Sequence, residues 1–418
     1  MNYALAMAAP LIEIDDARRA VLDCTHPLTY ESERLADALD RVLAEDVRSA
    51  GPVPPFDSSA MDGFALRCAD VRDAAEGRPA TLSVVGESRA GHPASRAVGS
   101  GEAVAISTGA VVPDGADAVV PVERTSARNG HVDVLAAVPA GNDVRRAGED
   151  IGADELAVAA GTRLGPAHLG VLASLGRAEV RCFMRPRVSV LTTGDELVAP
   201  GRELPHGAIY NSNSYSVPAL AREAGAHVGL TTTVRDEPRA TAEALLRALD
   251  TSDVVVICGG VSVGEHDHVR PALAELGVVE RFWGVALKPG KPTWFGVREQ
   301  TLVFGLPGNP VSAMVTFALF VAPALRALAG APAATPRTTA LLAHDLAKRP
   351  GRAHAVRCRL RASDAGWVAE PTGAQGSHVL TSMLGADALA ILPSDSAGAS
   401  AGERVAMELL PGARPGFA

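Results

Sequence analysis

Apolar residues recur at helical spacing near the start of the chain. Ile14, Ala17, Val21 and Cys24 fall on one face, as do Leu35, Leu39 and Val42, so the pattern predicts two short amphipathic helices. Gly51-Pro52-Val53-Pro54-Pro55 ends that section, because successive prolines cannot continue a helix. From there to about Asp154, short β-type runs alternate with glycine-rich turns: Thr81 to Val85, Ala103 to Ser107, Ala118 to Val122 and His131 to Ala137. Helical spacing returns over Pro166 to Leu175, which predicts a small β-rich domain inserted into a helical one.

After Arg185-Pro186 the period changes again. Val188 to Thr193, His227 to Val234, Asp253 to Cys258 and Thr301 to Phe304 read as strands. Helices are expected from Asn213, over Arg239 to Leu249 and over Val311 to Leu328. The run DVVVIC at 253–258 is almost wholly apolar, as a strand buried on both faces should be. Repeated β-α-β units predict a parallel sheet whose ligands bind beyond the carboxyl ends of the strands. The loops after Thr193, Val234, Cys258 and Phe304 are therefore the ones to inspect. A linker of Ala, Pro and Thr at 331–336 leads to runs at His354 to Arg361, Ala388 to Pro393 and Arg404 to Leu409, which suggest a small β-barrel or sandwich. The expected class is α/β and multidomain. Its parts are an elongated N-terminal domain (1–50 with 155–184), an inserted β-rich domain (51–154), a parallel-sheet α/β core (185–332) and a C-terminal β-barrel (333–418).

Composition narrows the function. The 418 residues suit about three domains. They carry 39 Lys+Arg against 48 Asp+Glu, a net charge of −9 that argues against a nucleic-acid binder. Any anionic substrate must meet a local cluster of cations. The five cysteines are isolated, which fits a reducing cytoplasm and no zinc site. Residues 1–16 carry no early Lys or Arg, so no signal peptide is expected, and the apolar run 311–328 is broken by Ser312, Thr316, Pro323 and Arg326, so no membrane span is expected.

Several segments could carry chemistry. Gly259-Gly260-Val261-Ser262-Val263-Gly264 ends the most buried strand, where glycines let backbone amides approach an anion. An ordinary tight turn explains it about equally well. Asp236 and Asp267 follow strand ends and could supply the one or two carboxylates that Mg²⁺ takes beside phosphates. Each alone is also a common turn residue. Lys288-Pro289-Gly290-Lys291-Pro292 holds two ammonium groups on a stiff stretch, and Gly305-Leu306-Pro307-Gly308-Asn309-Pro310 is a second glycine-bearing strand end that opens a helix. Phe56 to Gly63, Ser107 to Ala110, Arg145 to Asp150 and Gln375 to His378 read as plain turns or hinges in isolation.

Taken in order, these segments resemble one family, the molybdopterin molybdenumtransferases (MoeA-like enzymes and the E domain of gephyrin). The resemblance rests on PPFDSSAMDGFA (Pro54 to Ala65), STGA (Ser107 to Ala110), RRAGEDI (Arg145 to Ile151), TTGDEL (Thr192 to Leu197), CGGVSVGEHD (Cys258 to Asp267), LKPGKP (Leu287 to Pro292), GLPGNPVSA (Gly305 to Ala313) and QGSH (Gln375 to His378). It implies a four-domain homodimer that inserts molybdenum from molybdate into the dithiolene of adenylylated molybdopterin, with Mg²⁺, releasing AMP. It implies Asp236 and Asp267 as Mg²⁺-associated carboxylates. Lys288, Lys291, Arg357 and Ser377 would contact molybdate or a terminal phosphate. Glu196 would be an active-site acid, and the loop from Gly259 through Gly260, Ser262 and Gly264 would cradle the pterin phosphate, with Pro307, Gly308, Asn309 and Pro310 beside it. Asp62, Thr108 and Asp150 would act on the site of the other subunit. The resemblance also implies a molybdopterin adenylyltransferase and recipient molybdoenzymes as partners.

One departure is visible: Asn211 stands where family members often carry an acid, which removes a negative charge near the expected metal site. Two other readings compete. A molybdopterin adenylyltransferase would lack the segments that carry Asp62 and Ser377, and a gephyrin-like scaffold would need an exposed apolar groove.

Overall fold

The computed structural model describes residues 10–261, 268–410 and 412–413. Its centre is a six-stranded sheet in the order His227–Val234, Arg187–Thr193, Val254–Cys258, Thr301–Leu306, Trp294–Arg298, Val279–Trp283. The first four strands are parallel, as the β-α-β reading predicts. The last two are antiparallel and were not anticipated. They flank the Lys288 to Pro292 turn, and their signal is aromatic rather than aliphatic. Phe282, Phe295 and Phe304 stack across the strands with ring centroids 5.7 and 5.0 Å apart. In Val279–Trp283 only Phe282 is fully buried, so no apolar run marks that strand.

All five residues of Val254–Cys258 are buried, because helices cover both faces of the sheet. The helical run from Pro310 to Leu328 has the length and apolarity of a membrane span, yet 83% of its apolar window is buried inside the protein, the position of a core helix. A π-helical stretch, Phe317–Val321, interrupts it.

The chain start departs from expectation in two ways. The helix Ile14–Leu22 forms, but Ile14, Ala17 and Val21 pack into the α/β core with Val285, Leu287 and Leu325 rather than into the elongated domain. The second expected helix does not form. Tyr30–Arg34 is a strand paired with Glu179–Phe183, and only one 3₁₀ turn, Leu35–Asp37, follows it. Asp40 adopts a left-handed conformation (φ 64°) that ends any helix there, and Leu39 is left exposed.

The inserted domain is a second six-stranded sheet built from Gly63–Leu66, Ala80–Ser88, Glu102–Ile106, Ala118–Pro121, Thr125–Arg128 and His131–Val134. The chain enters and leaves it side by side. Val47–Arg48 pairs with Leu156–Val158, Val53 bridges to Ile151, and Ser58–Ser59 pairs with Val144–Arg145. At this neck Asp57 accepts hydrogen bonds from Ala147 N (2.8 Å) and Arg146 Nη1 (2.6 Å). Those bonds hold its carboxyl below the usual range, the backbone bond first.

The C-terminal domain is a closed five-stranded barrel of Arg337–Leu342, Ala353–Ser363, Gly366–Pro371, Ala388–Leu392 and Arg404–Leu409. It is bonded tightly to the core. Leu287–Lys288 adds a parallel strand to Ala353–Ser363, and Ala353, Ala355 and Leu389 belong to the α/β hydrophobic cluster. Arg18 from the first helix makes a bidentate pair with the buried Glu408, which also binds Arg337.

Candidate functional site

The carboxyl ends of the four parallel strands bring three loops together. Gly259 and Gly260 both have positive φ (92° and 64°), and a side chain at Gly259 would come within 2.7 Å of Thr193 O. A side chain at Gly308 would lie 3.8 Å from the Gly259 Cα, so the loop 307–310 closes on the loop 259–260. Asn213 Nδ2 donates to Gly308 O (2.7 Å) and fixes that loop to the helix Asn213–Glu223. Pro307 is buried while Gly308 and Asn309 are exposed. Asn309 and Pro310 open the helix Pro310–Thr316, with Ala313 N donating to Asn309 O (3.0 Å).

The barrel reaches this point. Asn309 Nδ2 donates to Ser377 Oγ (3.2 Å), joining the strand-end loop to the 375–378 turn. Behind that turn lies Arg357, fully buried. Its Nε donates to Ser382 Oγ (3.2 Å) and its Nη2 to Gly376 O (3.3 Å), while Nη1 has no partner among the described residues. Sequence resemblance placed Arg357 in direct contact with an anion. In the structure its guanidinium also holds the turn that carries Ser377, through Gly376 O, and burial pushes its pKa down to about 10.

Lys288 pairs in register with His354 of the barrel. His354 is buried, and its Nε2 has no partner among the described residues. Burial first, then Lys288, Arg357, Lys348 and Arg352, push its pKa down to about 4, so the ring is neutral. Among the described residues, none of Lys288, Lys291, Arg352 and Arg357 makes an ion pair. The junction of core and barrel is thus rich in cations without carboxylate partners.

Acids lie at the other end of the loops. Asp236 follows the strand His227–Val234, and its amide donates to Asp195 Oδ1 (3.3 Å). Glu196 is exposed and folds back over Gly194, where any side chain would meet its carboxylate. That bond ties the Asp195 carboxylate to the Asp236 backbone, and among the described residues no cluster of three or more metal-ligating side chains exists. Asp267, Ser262 and Gly264 lie outside the described residues.

Asn211 has a structural task. It is buried, donates through Nδ2 to Thr192 Oγ1 (2.7 Å) and Thr233 Oγ1 (3.0 Å), and accepts from Ser214 N (3.1 Å) at the helix start. Asp62, Thr108 and Asp150 stay apart from these loops. Asp62 Oδ1 accepts from Thr108 N (2.7 Å) and Oγ1 (3.2 Å), and Asp150 N donates to Val53 O (3.1 Å) at the neck. Burial pushes the Cys258 and Cys358 thiols up to about 12, which removes them as nucleophiles. Sequence reasoning missed His354, Asn213 and Asp195 as site neighbours. For His354 the available signal was a polar residue within an apolar barrel strand.

Comparison with known proteins agrees with this layout. The chain matches the MoeA N-terminal region (domains I and II) over residues 12–176, a probable molybdopterin-binding domain over 189–327 and the MoeA C-terminal region (domain IV) over 339–410. It is 37% identical to the molybdopterin molybdenumtransferase of Haemophilus influenzae over 403 residues, 95% of this chain and 98% of that one. It is 36% identical to the Nostoc enzyme of the same name over 379 residues, covering 89% of this chain and 86% of the other. Two crystal structures of the MoeA molybdopterin biosynthesis protein from Pyrococcus horikoshii are similar to it with TM-scores of 0.83 and 0.82, at 33% and 31% identity. They cover 96% of this chain and 99% and 100% of theirs.

Proposed function

Because the chain belongs to the molybdopterin molybdenumtransferase family, we propose that it inserts molybdenum, taken from molybdate, into the dithiolene of adenylylated molybdopterin and releases AMP, with Mg²⁺ assisting. The observation that supports this most is the junction where Lys288 pairs with His354 and Arg357 holds the Ser377 turn, cations without an ion pair among the described residues, with Lys291 three residues along the same turn. A compact dianion needs fixed positive charge and donors that do not depend on deprotonation, which a guanidinium, two ammonium groups and a hydroxyl supply.

The loops at Gly259-Gly260 and Pro307 to Pro310 hold the phosphates of the pterin substrate through close backbone approach. Asp236 and Asp267, the carboxylates that the family resemblance implies, would hold Mg²⁺. When bound, that ion neutralises charge on the phosphoanhydride. Glu196 orients groups at the strand end. Ser377, positioned by Asn309 from one side and the Arg357-supported turn from the other, fixes the oxyanion.

Asp62, Thr108 and Asp150 complete the site of a partner subunit in a homodimer. Asp62 and Thr108 bond to each other in the inserted domain and Asp150 to Val53 at its neck, and among the described residues none of the three bonds to the strand-end loops of its own core, which favours action in trans. On this reading the protein is cytoplasmic, receives its substrate from a molybdopterin adenylyltransferase and supplies molybdoenzymes.

The test is incubation with adenylylated molybdopterin, molybdate and MgCl₂. AMP and molybdenum cofactor should appear together, each requiring molybdate. Absence of both, or cofactor formed from non-adenylylated molybdopterin at the same rate, overturns the reading.

A further inference from the structure

Two neighbouring threonines end the strand Arg187–Thr193 on opposite faces, and their hydroxyls fare differently. Thr192 Oγ1 is engaged by Asn211 and Thr233. Thr193 Oγ1 is buried and has no hydrogen-bond partner among the described residues, in a residue only 8% exposed. A buried hydroxyl without a partner destabilises a fold, so one kept at a strand end beside two ligand-facing loops calls for an explanation. The surroundings supply a reason. A side chain at Gly259 would come within 3.0 Å of this oxygen and one at Gly260 within 2.9 Å. Both glycines therefore leave the hydroxyl uncrowded, at the point where Gly308 closes on Gly259.

We propose that Thr193 is a further substrate-binding residue, whose hydroxyl donates to a phosphate oxygen held by the Gly259-Gly260 turn. This rests on the proposed function for the identity of the substrate, but not for the chemistry of the contact. A neutral donor adds directionality to an anion site without adding charge, and it cannot be titrated away near neutral pH.

The experiment compares Thr193→Val, Thr193→Ser and Thr192→Val with the wild type in thermal midpoint and in affinity for two probes, adenylylated molybdopterin and inorganic pyrophosphate. Valine keeps the shape and the β preference of the strand. Thr193→Val should leave the midpoint unchanged or raise it, since an unsatisfied group is removed, while affinity falls about ten-fold. Thr193→Ser should bind like wild type. Thr192→Val should instead lower the midpoint, because it removes one of the two hydroxyls that accept from the Asn211 amide.

Equal affinity of Thr193→Val and wild type for both probes overturns the proposal. So does a lowered midpoint that Thr193→Ser restores, because the hydroxyl would then serve the fold. If pyrophosphate discriminates the variants while adenylylated molybdopterin binds none of them, the functional reading fails and the contact stands. If wild type binds neither probe, both fall.

Discussion

The barrel and the inserted domain each carry residues expected to serve one reaction, yet they are attached to the α/β core in opposite ways. The barrel shares strand pairing, a hydrophobic cluster and the buried Arg18–Glu408 pair with the core, and its Ser377 is hydrogen-bonded to Asn309. The inserted domain hangs from paired chain segments, and its Asp62 and Thr108 bond to each other. A rigid attachment suits groups that must be preorganised against a small anion. A narrow neck suits groups that must reach a surface belonging to another chain.

The sharpest way to break this contrast is subunit complementation. On the proposed homodimer with shared sites, Asp62→Ala and Lys288→Ala should each be inactive, yet exchanged mixtures should regain about a quarter of wild-type activity, because half the dimers would be mixed and each would hold one intact site. Mixtures as inactive as their parents would put both residues in one chain's site. Next in size is Arg357→Met, which should lower the rate at limiting molybdate about a hundredfold while shifting stability by less than about 2 kcal/mol, since the buried charge is lost along with its hydrogen bonds. A collapse of the melting transition with molybdate affinity intact would show that the guanidinium serves the barrel alone.

His354 gives a smaller, pH-dependent effect. The unfolded chain takes up its proton near pH 6.5 and the folded form only near 4, so the folded state binds fewer protons between these values. Stability should therefore fall as pH drops from 6.5 to about 4, by on the order of 2 kcal/mol, and His354→Gln should flatten that limb of a urea-denaturation series. The smallest effect belongs to the neck. Asp57→Asn removes a half-exposed pair with Arg146 and should change stability by less than about 0.5 kcal/mol, with activity nearly unchanged. A large activity loss there would mean that the neck sets the angle of the inserted domain.

Much of this was legible from the sequence because the relevant signals were local. The parallel strands announced themselves through apolar runs such as 254–258, and the candidate loops through glycines at their ends. The antiparallel pair at 279–283 and 294–298 escaped because its burial rests on a few aromatics rather than a period. The helix expected over Leu35 to Val42 failed because strand pairing between Tyr30–Arg34 and Glu179–Phe183 outweighed a local spacing, a choice made by residues far along the chain. The burial of Arg357 was invisible for a similar reason. Charge predicts exposure, and only the closed barrel shows the turn that the side chain supports.

The packing of Ile14–Leu22 on the far end of the core has a consequence in time. Arg18 Nε donates to Leu319 O, 301 residues away, and Ile12 bridges to Val285. At roughly 5–20 residues per second, a ribosome needs about 15–60 s to deliver those partners after the helix emerges. For that interval Ile14, Ala17 and Val21 have nothing to cover them. The inserted domain, whose two ends meet at the neck, can complete itself well before synthesis finishes. Nascent chains stalled between about residue 170 and residue 280 should accordingly hold a protease-resistant inserted domain and a protease-sensitive first helix, so that the first structure made is the last to be secured.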